Sequence, residues 1–348
     1  MRVAIVNDLA LAREVLRRLV LSEPGHTIAW TAVDGAEAVQ KAAADRPDVI
    51  LMDLVMPVMD GAEATRRIMK ESPCPILLVT SSVSGNFSKV YEAMGTGALD
   101  AVNTPTLGRD GKVCDGEALL ARLANLARSC RAAPAATLAA PAARPSGQGP
   151  PLLALGASTG GPEALARILE VLPGGLAAPV VIIQHIASEF APSLATWLQG
   201  RSKLRVRLAK AGDVPLPGEV LVAGTDDHLV LGRDRRLAYT CDPVSCPYRP
   251  SVDAFFVSLA ASWPTPGVAV LLTGMGADGA RGLLQLRQVG WFTLAQDQAS
   301  SVVYGMPQAA AQLGAACQVL PLCELAPAIL AHLSRNATKA LNERDEVR

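Results

Sequence analysis

A serine, a histidine and an aspartate each stand just past a short apolar run. Ser158 follows L-L-A-L-G-A, His185 follows V-V-I-I-Q, and Asp278 lies in T-G-M-G-A-D-G after V-A-V-L-L. A serine hydroxyl becomes a nucleophile near neutral pH only when a base takes its proton. Imidazole is the usual base, and a carboxylate fixes its tautomer and steadies the imidazolium. Together the three would carry out acyl transfer on an ester or amide. Each has a plainer reading: His185 as a satisfied structural side chain, Asp278 as a cap for the helix after Gly279, and G-A-S-T-G-G as a phosphate loop. The last reading suffers because the loop lacks both the G-x-G-x-x-G spacing and a G-K-[ST] ending.

The elements that must hold these residues are legible around them. Residues 152–155 read as a buried strand, Gly156 ends it, and Gly160-Gly161-Pro162 opens a helix. Ser158 therefore falls on a strand-to-helix turn, where ligands bind in an open α/β sheet and helix N–H groups face a developing negative charge. The pattern continues with a helix at 164–172, a strand at 180–184, a helix at 193–198 and strands at 206–208 and 220–223. A hairpin follows across 229–238, turned by Gly232-Arg233-Asp234. Helices at 251–261 and 279–289, strands at 268–273 and 292–295, and helices from 307 and 325 complete a doubly wound α/β domain with a β-hairpin insertion.

The first part of the chain alternates in the same way. Apolar runs at 3–6, 27–31, 49–52, 76–79 and 98–102 are interleaved with helical patterns at 11–20, 36–44, 62–70, 90–94 and 117–129. Five βα units predict a parallel, doubly wound, flavodoxin-like sheet. At its strand ends stand Asn7, Asp8, Asp53, Thr80 and Thr104. Oxygen ligands of this kind suit Mg²⁺, although Asp8 alone reads as a helix cap and Asp53 alone as a strand end. The expected organisation is a domain at 1–128, an Ala/Pro/Gly-rich linker at 129–150, a second domain at 151–334 and a loose polar tail at 335–348.

Composition narrows the classes. The 348 residues carry no net charge and no basic block, which argues against a nucleic-acid surface and a polybasic membrane contact. Seven scattered cysteines without C-x-x-C spacing imply reduced thiols in a cytoplasmic protein, and Cys241 and Cys246 do not make a zinc site. The N-terminus is too soon charged for a signal peptide, and no apolar span is long enough for direct membrane insertion.

Two resemblances sharpen the expectation. Residues 51–61, L-M-D-L-V-M-P-V-M-D-G, with Asp8 upstream and Thr80-Ser81 downstream, resemble the phosphoacceptor region of a response-regulator receiver. The resemblance implies phosphoryl transfer to Asp53, Mg²⁺ held by Asp8, Asp53 and Asn7, and phosphoryl contact by Thr80. Two positions depart from it: Asn7 where receivers carry an acid, and Thr104 where they carry a lysine before proline. Loss of the lysine puts phosphorylation-driven switching in question, so a weaker or altered output is expected.

In the second domain, A-S-T-G-G, Q-H, R-P-S-V-D, T-G-M-G-A-D-G and V-Y-G-M-P occur in the order found in the CheB methylesterase family, which the domain resembles. The Asn7-Asp8 start and the N-T-P at 103–105 are similar to its Wsp surface-sensing branch. Membership implies a protein-glutamate methylesterase and glutaminase with Ser158 as nucleophile, His185 as base and Asp278 as its orienter. It also implies the Met275 main-chain N–H as oxyanion donor and Thr159 as a positioning group. Gly274 and Gly276 would permit the close turn that donor requires. No cofactor is expected for hydrolysis. Chemoreceptors are the implied substrates, a chemotaxis-type histidine kinase is the phosphodonor, and the unphosphorylated receiver covers the active site. Arg249 has no assigned role, a surface salt bridge being as good a reading as a grip on acidic receptor helices. A non-enzymatic adaptor and a general small-ester esterase are the rival readings; an intact triad opposes the first and the attached receiver the second.

Overall fold

The computed structural model describes residues 1–80, 87–108, 113–129, 149–244, 246 and 248–345. Ser81 and nearly all of the expected linker lie outside them. The chain divides into two compact units, Met1–Pro134 and Ala135–Arg348.

The first unit begins with β1 (Arg2–Val6), α1 (Ala10–Ser22), β2 (Thr27–Ala32), α2 (Gly35–Ala44), β3 (Val49–Met52) and α3 (Gly61–Glu71). It continues through β4 (Ile76–Thr80), α4 (Phe87–Thr96), β5 (Asp100–Asn103) and α5 (Glu117–Ser129). Its five strands are parallel in the order β2-β1-β3-β4-β5, so the chain reverses direction across the sheet between β1 and β3. Every residue of β3 and β4 is buried, as strands covered on both faces require. A two-stranded ribbon, β6 (Thr106–Leu107) with β7 (Val113–Cys114), was not foreseen; two-residue strands carry no periodic signal.

The second unit holds a seven-stranded parallel sheet built from β8 (Leu153–Ala157), β9 (Val180–Gln184), β10 (Arg205–Leu208), β11 (Glu219–Val222), β14 (Val268–Leu271), β15 (Phe292–Gln296) and β16 (Gln318–Leu320). The order is β10-β11-β9-β8-β14-β15-β16, which places the reversal between β8 and β14. Covering it are α6 (Gly161–Val171), α7 (Ala191–Gln199), α8 (Val252–Ser262), α9 (Ala280–Gln288), α10 (Met306–Gln312) and α11 (Leu322–Asp345).

The hairpin insertion is β12 (His228–Leu231) paired antiparallel with β13 (Leu237–Thr240). Its buried Leu229, Leu231 and Leu237 join Val252, Phe255 and Phe256 of α8 in one core cluster. Its turn is longer than Gly232-Arg233-Asp234, closing through Gly232 N–H to Arg236 C=O with Arg235 at φ 64°. The expected loose tail is also different: α11 continues to Asp345. The polar composition concealed a run of helix formers, Ala, Lys, Leu, Glu and Arg, which need no apolar face to remain helical. No described helix is long and apolar enough to cross a membrane.

Candidate active site

Sheet register brings Ser158 and His185 side by side. Ala157 of β8 pairs with Gln184 of β9, so the residues that follow, Ser158 and His185, leave adjacent strands together. The His185 N–H donates to Ala157 C=O at 3.0 Å. Gly160, at φ 76°, reverses the chain between Ser158 and α6, and the Gly161 N–H closes the turn on Ser158 C=O at 2.8 Å. The buried Gln184 amide spans both residues, its Nε2 donating to the carbonyls of Ser158 at 2.8 Å and His185 at 3.1 Å. Ser158 itself is 7 % exposed.

Asp278 arrives from beyond β14, on the other side of the reversal. Its Oδ2 lies 2.7 Å from His185 Nε2. The same carboxylate accepts from Ser251 Oγ at 2.8 Å, Val252 N–H at 2.7 Å and Asp253 N–H at 3.2 Å. The last two are first-turn amides of α8, so Asp278 serves the N-terminus of α8 and does not cap the helix that follows it in sequence. Burial alone would raise its carboxyl pKa, but the bonds from His185, Val252 and Ser251 outweigh burial and hold it below the usual range. Asp253, buried beside that charge, is pushed well above the carboxylate range by desolvation and by Asp278. Asp278 is therefore the ionised member of the two.

With Nε2 turned to Asp278, the other ring nitrogen is the one left for chemistry. Nδ1 of His185 is buried without a hydrogen-bond partner among the described residues. A neutral imidazole that donates from Nε2 carries its lone pair on Nδ1, the form a general base must have.

The turn after β14 closes the site. Ser158 N–H donates to Thr273 C=O at 3.1 Å, and Thr273 Oγ1 donates to the carbonyl of the buried Thr159 at 2.8 Å. Gly274 C=O accepts the N–H groups of Gly305 and Met306, which fastens this turn to the start of α10. A Cβ at 274 would collide with Ser158 Cβ and Met306 Sδ, so glycine is needed for the close approach. The N–H of Met275 meets no acceptor among the described residues, leaving it free for a substrate oxygen. Arg249 is spent locally: Nη2 donates to Cys241 C=O at 3.1 Å and Nη1 lies 3.6 Å from Asp227 Oδ1.

The receiver-like pocket occupies the reversal of the other sheet, between β1 and β3. Asp53 sits one residue beyond β3, half-buried, and accepts from Leu54 N–H at 2.7 Å and from Asn7 Nδ2 at 2.9 Å. Burial, reinforced by the Asp8 charge against the Leu54 and Val55 amides, pushes its carboxyl up to about 6. A Cβ at Gly61 would strike the Asp53 carbonyl, which accounts for the glycine in M-D-G, while Asp60 caps α3 by accepting from Glu63 N–H at 3.0 Å. Thr80 is buried, and its carbonyl accepts from Thr104 N–H at 3.1 Å. Arg13 reaches the rim of the pocket, donating to the carbonyls of Asn7 at 2.6 Å and Asp8 at 3.0 Å.

The expected third oxygen ligand for Mg²⁺ is turned the wrong way. Asn7 Oδ1 accepts from Leu9 N–H at 2.8 Å, which fixes the amide and points its N–H₂ at Asp53. A donor repels a cation, so Asn7 drops out of the ligand set. The carboxylates of Asp8 and Asp53 remain, and Mg²⁺, which takes one or two carboxylates and completes its shell with water and phosphate oxygens, would be held by these two.

Comparison with known proteins matches both units. Residues 153–329 match the CheB methylesterase family model and residues 3–109 the response regulator receiver domain. The chain belongs to the CheB methylesterase family. A protein-glutamate methylesterase/protein-glutamine glutaminase of Burkholderia thailandensis is 52% identical over 337 residues, covering 97% of this chain and 98% of that protein. A namesake from Pseudomonas aeruginosa is 52% identical over 332 residues, covering 94% and 98%. Among solved structures, the Thermotoga maritima CheB methylesterase catalytic domain is similar with a TM-score of 0.50 and 33% identity, over 53% of this chain and 99% of that one.

In this CheB-family chain, sequence reasoning gave no role to two residues that touch the candidate triad, Ser251 and Tyr248, or to one behind them, His228. Ser251 caps α8 by accepting from Ala254 N–H at 3.2 Å and also donates to Asp278. A serine just before V-D-A-F-F signals the cap, but nothing in the string signals the second partner. His228, wholly buried, accepts from Ser251 N–H at its Nδ1, 3.1 Å away; burial lowers its pKa and favours the neutral ring this requires. Tyr248 stacks on His185 with ring centroids 4.7 Å apart.

Proposed function

We propose that the second unit hydrolyses glutamate γ-methyl esters on the cytoplasmic helices of chemoreceptors and deamidates receptor glutamines; its relatives are named protein-glutamate methylesterase/protein-glutamine glutaminase. The observation that carries this reading is His185 Nε2 bound to Asp278 at 2.7 Å with Nδ1 buried and unpartnered, on a residue that leaves β9 next to where Ser158 leaves β8.

Ser158 Oγ attacks the ester carbonyl while His185 Nδ1 takes its proton. The carbonyl oxygen gains the negative charge and accepts from the Met275 N–H. Thr159, buried under the same turn, helps hold the serine in place. Collapse of the tetrahedral species breaks the C–O bond to the methoxy group, which takes the Nδ1 proton and leaves as methanol. A water then gives a proton to Nδ1 and attacks the acyl-serine, the proton returns to Ser158 Oγ as the C–O bond to serine breaks, and the released glutamic acid side chain loses its own proton to solvent. Asp278 stays ionised throughout and steadies the imidazolium. A glutamine side chain follows the same path with ammonia as the leaving group.

The receiver accepts a phosphoryl group at Asp53 from a chemotaxis-type histidine kinase, with Thr80 contacting the phosphoryl oxygens, and thereby relieves inhibition of the esterase. The test is methanol release from a methylated receptor fragment. Ser158→Ala should lose on the order of 10³ to 10⁶ in rate while keeping its fold. A phosphodonor should raise the wild-type rate but not that of Asp53→Ala. Full activity in Ser158→Ala would overturn the assignment, and a wild-type rate indifferent to the phosphodonor would remove the switch.

A further inference from the structure

Tyr248 belongs to no strand or helix, yet it touches the catalytic machinery at two points. Its ring lies 5° from parallel with the His185 imidazole, and its hydroxyl presses on Gly276, where a Cβ would collide with it. Three residues later, Ser251 donates to Asp278. One short segment thus reaches both partners of the Nε2–Oδ2 hydrogen bond and the turn that carries Met275. Arg249, bonded to Cys241 C=O, fastens the segment between these contacts.

The need for such a contact follows from the geometry of the ring. A single hydrogen bond fixes where Nε2 sits but leaves the imidazole free to tilt about that point. The direction of the Nδ1 lone pair depends on the tilt. A flat aromatic surface lying parallel to the ring removes the freedom, and its electron-rich face favours the imidazolium that forms as Ser158 loses its proton.

We propose that Tyr248 is a positioning residue for the esterase reaction, its ring setting the plane of His185 so that Nδ1 aims at Ser158. The proposal rests on the triad reading above.

The test uses the full chain, with a small-molecule phosphodonor present throughout, as wild type, Tyr248→Phe, Tyr248→Leu and Ser158→Ala. Two rates are measured: labelling of Ser158 by a fluorophosphonate without receptor, and kcat and KM for methanol release. Tyr248→Phe keeps the stacking ring and should label within about twofold of wild type. Tyr248→Leu should slow both labelling and kcat roughly tenfold at unchanged KM, equivalent to ~1.4 kcal/mol. Thermal melting accompanies each variant, and Tyr248→Met replaces the leucine variant if that one does not fold. Labelling of Tyr248→Leu as fast as wild type would overturn the proposal. So would a rise in KM alone, which would make Tyr248 a substrate contact, or a loss in Tyr248→Phe equal to that in Tyr248→Leu. Wild-type protein that melts normally but does not label overturns the triad reading itself.

Discussion

Each sheet places its polar cluster where the strand order reverses, between β1 and β3 in one unit and between β8 and β14 in the other, yet the two treat a carboxylate in opposite ways. Asp278 is buried beneath four donors, and those donors hold it ionised against burial. Asp53 is half-buried, and there burial prevails, lifting its pKa to about 6. The difference suits the roles we propose for the two. A carboxylate that steadies an imidazolium must keep its charge through every step, whereas one that forms an acyl phosphate must be open enough to attack. Location at a reversal point marks a site in both sheets; the arrangement of donors decides what kind of site it is.

The comparison breaks first if Asp278 can lose its charge without consequence. Asp278→Asn turns an amide toward donors from Ser251, Val252, Asp253 and His185. It should lower kcat for methanol release by about 10⁴, with the imidazole in the wrong tautomer. Retention of more than a tenth of the rate would mean that the cage is structural only. Gly274→Ala tests the close approach to Ser158: the new methyl group displaces the nucleophile, and kcat should fall on the order of 10² while the melting temperature changes little.

The receiver side sharpens the contrast with smaller effects. Asn7→Asp replaces the N–H₂ facing Asp53 with an oxygen and should raise Mg²⁺ affinity on the order of tenfold, read by isothermal titration calorimetry on the full chain. Equal affinity in the two proteins would show that Asn7 does not weaken the site. The smallest effect concerns pH. Because the folded pKa of Asp53 lies above its unfolded value, the folded form holds its proton longer, and stability falls as pH rises from about 4 to about 6. Asp53→Asn removes that penalty and should stabilise the receiver at pH 7 by about 1 kcal/mol, after discounting for solvent, with the gain vanishing near pH 4. A gain independent of pH, measured by thermal melting in EDTA, would refute the assignment. Asp278 has the opposite sign: its depressed pKa supports the fold above the usual carboxylate range, and that support is lost as pH falls through its folded value.

Much of this was legible in the string because parallel sheets write their sites plainly. Ser158, His185, Asp278, Asp8 and Asp53 each follow a buried apolar run, and topology carries the ends of such runs to one edge. Contacts that arise from a loop folding back are not written that way. Tyr248 reaches His185 across 63 positions, and no periodicity links them. Asn7 marks a subtler limit. Its identity shows that a charge is gone, but only the Leu9 N–H reveals which end of the amide faces Asp53. The helical tail was missed because polar helix formers and solvated coil have similar composition.

One detail of the triad has a mechanical meaning. In the familiar serine protease arrangement the carboxylate takes Nδ1 and the far nitrogen meets the serine; here Asp278 takes Nε2, and the working nitrogen is the one bonded directly to Cγ. The proton acceptor is therefore on a shorter lever from its own backbone. A given swing about the Cα–Cβ bond moves Nδ1 through a smaller arc than it moves Nε2. Placement of Nδ1 is inherited from the pairing of β8 with β9, and the longer reach is left to the nitrogen anchored at α8.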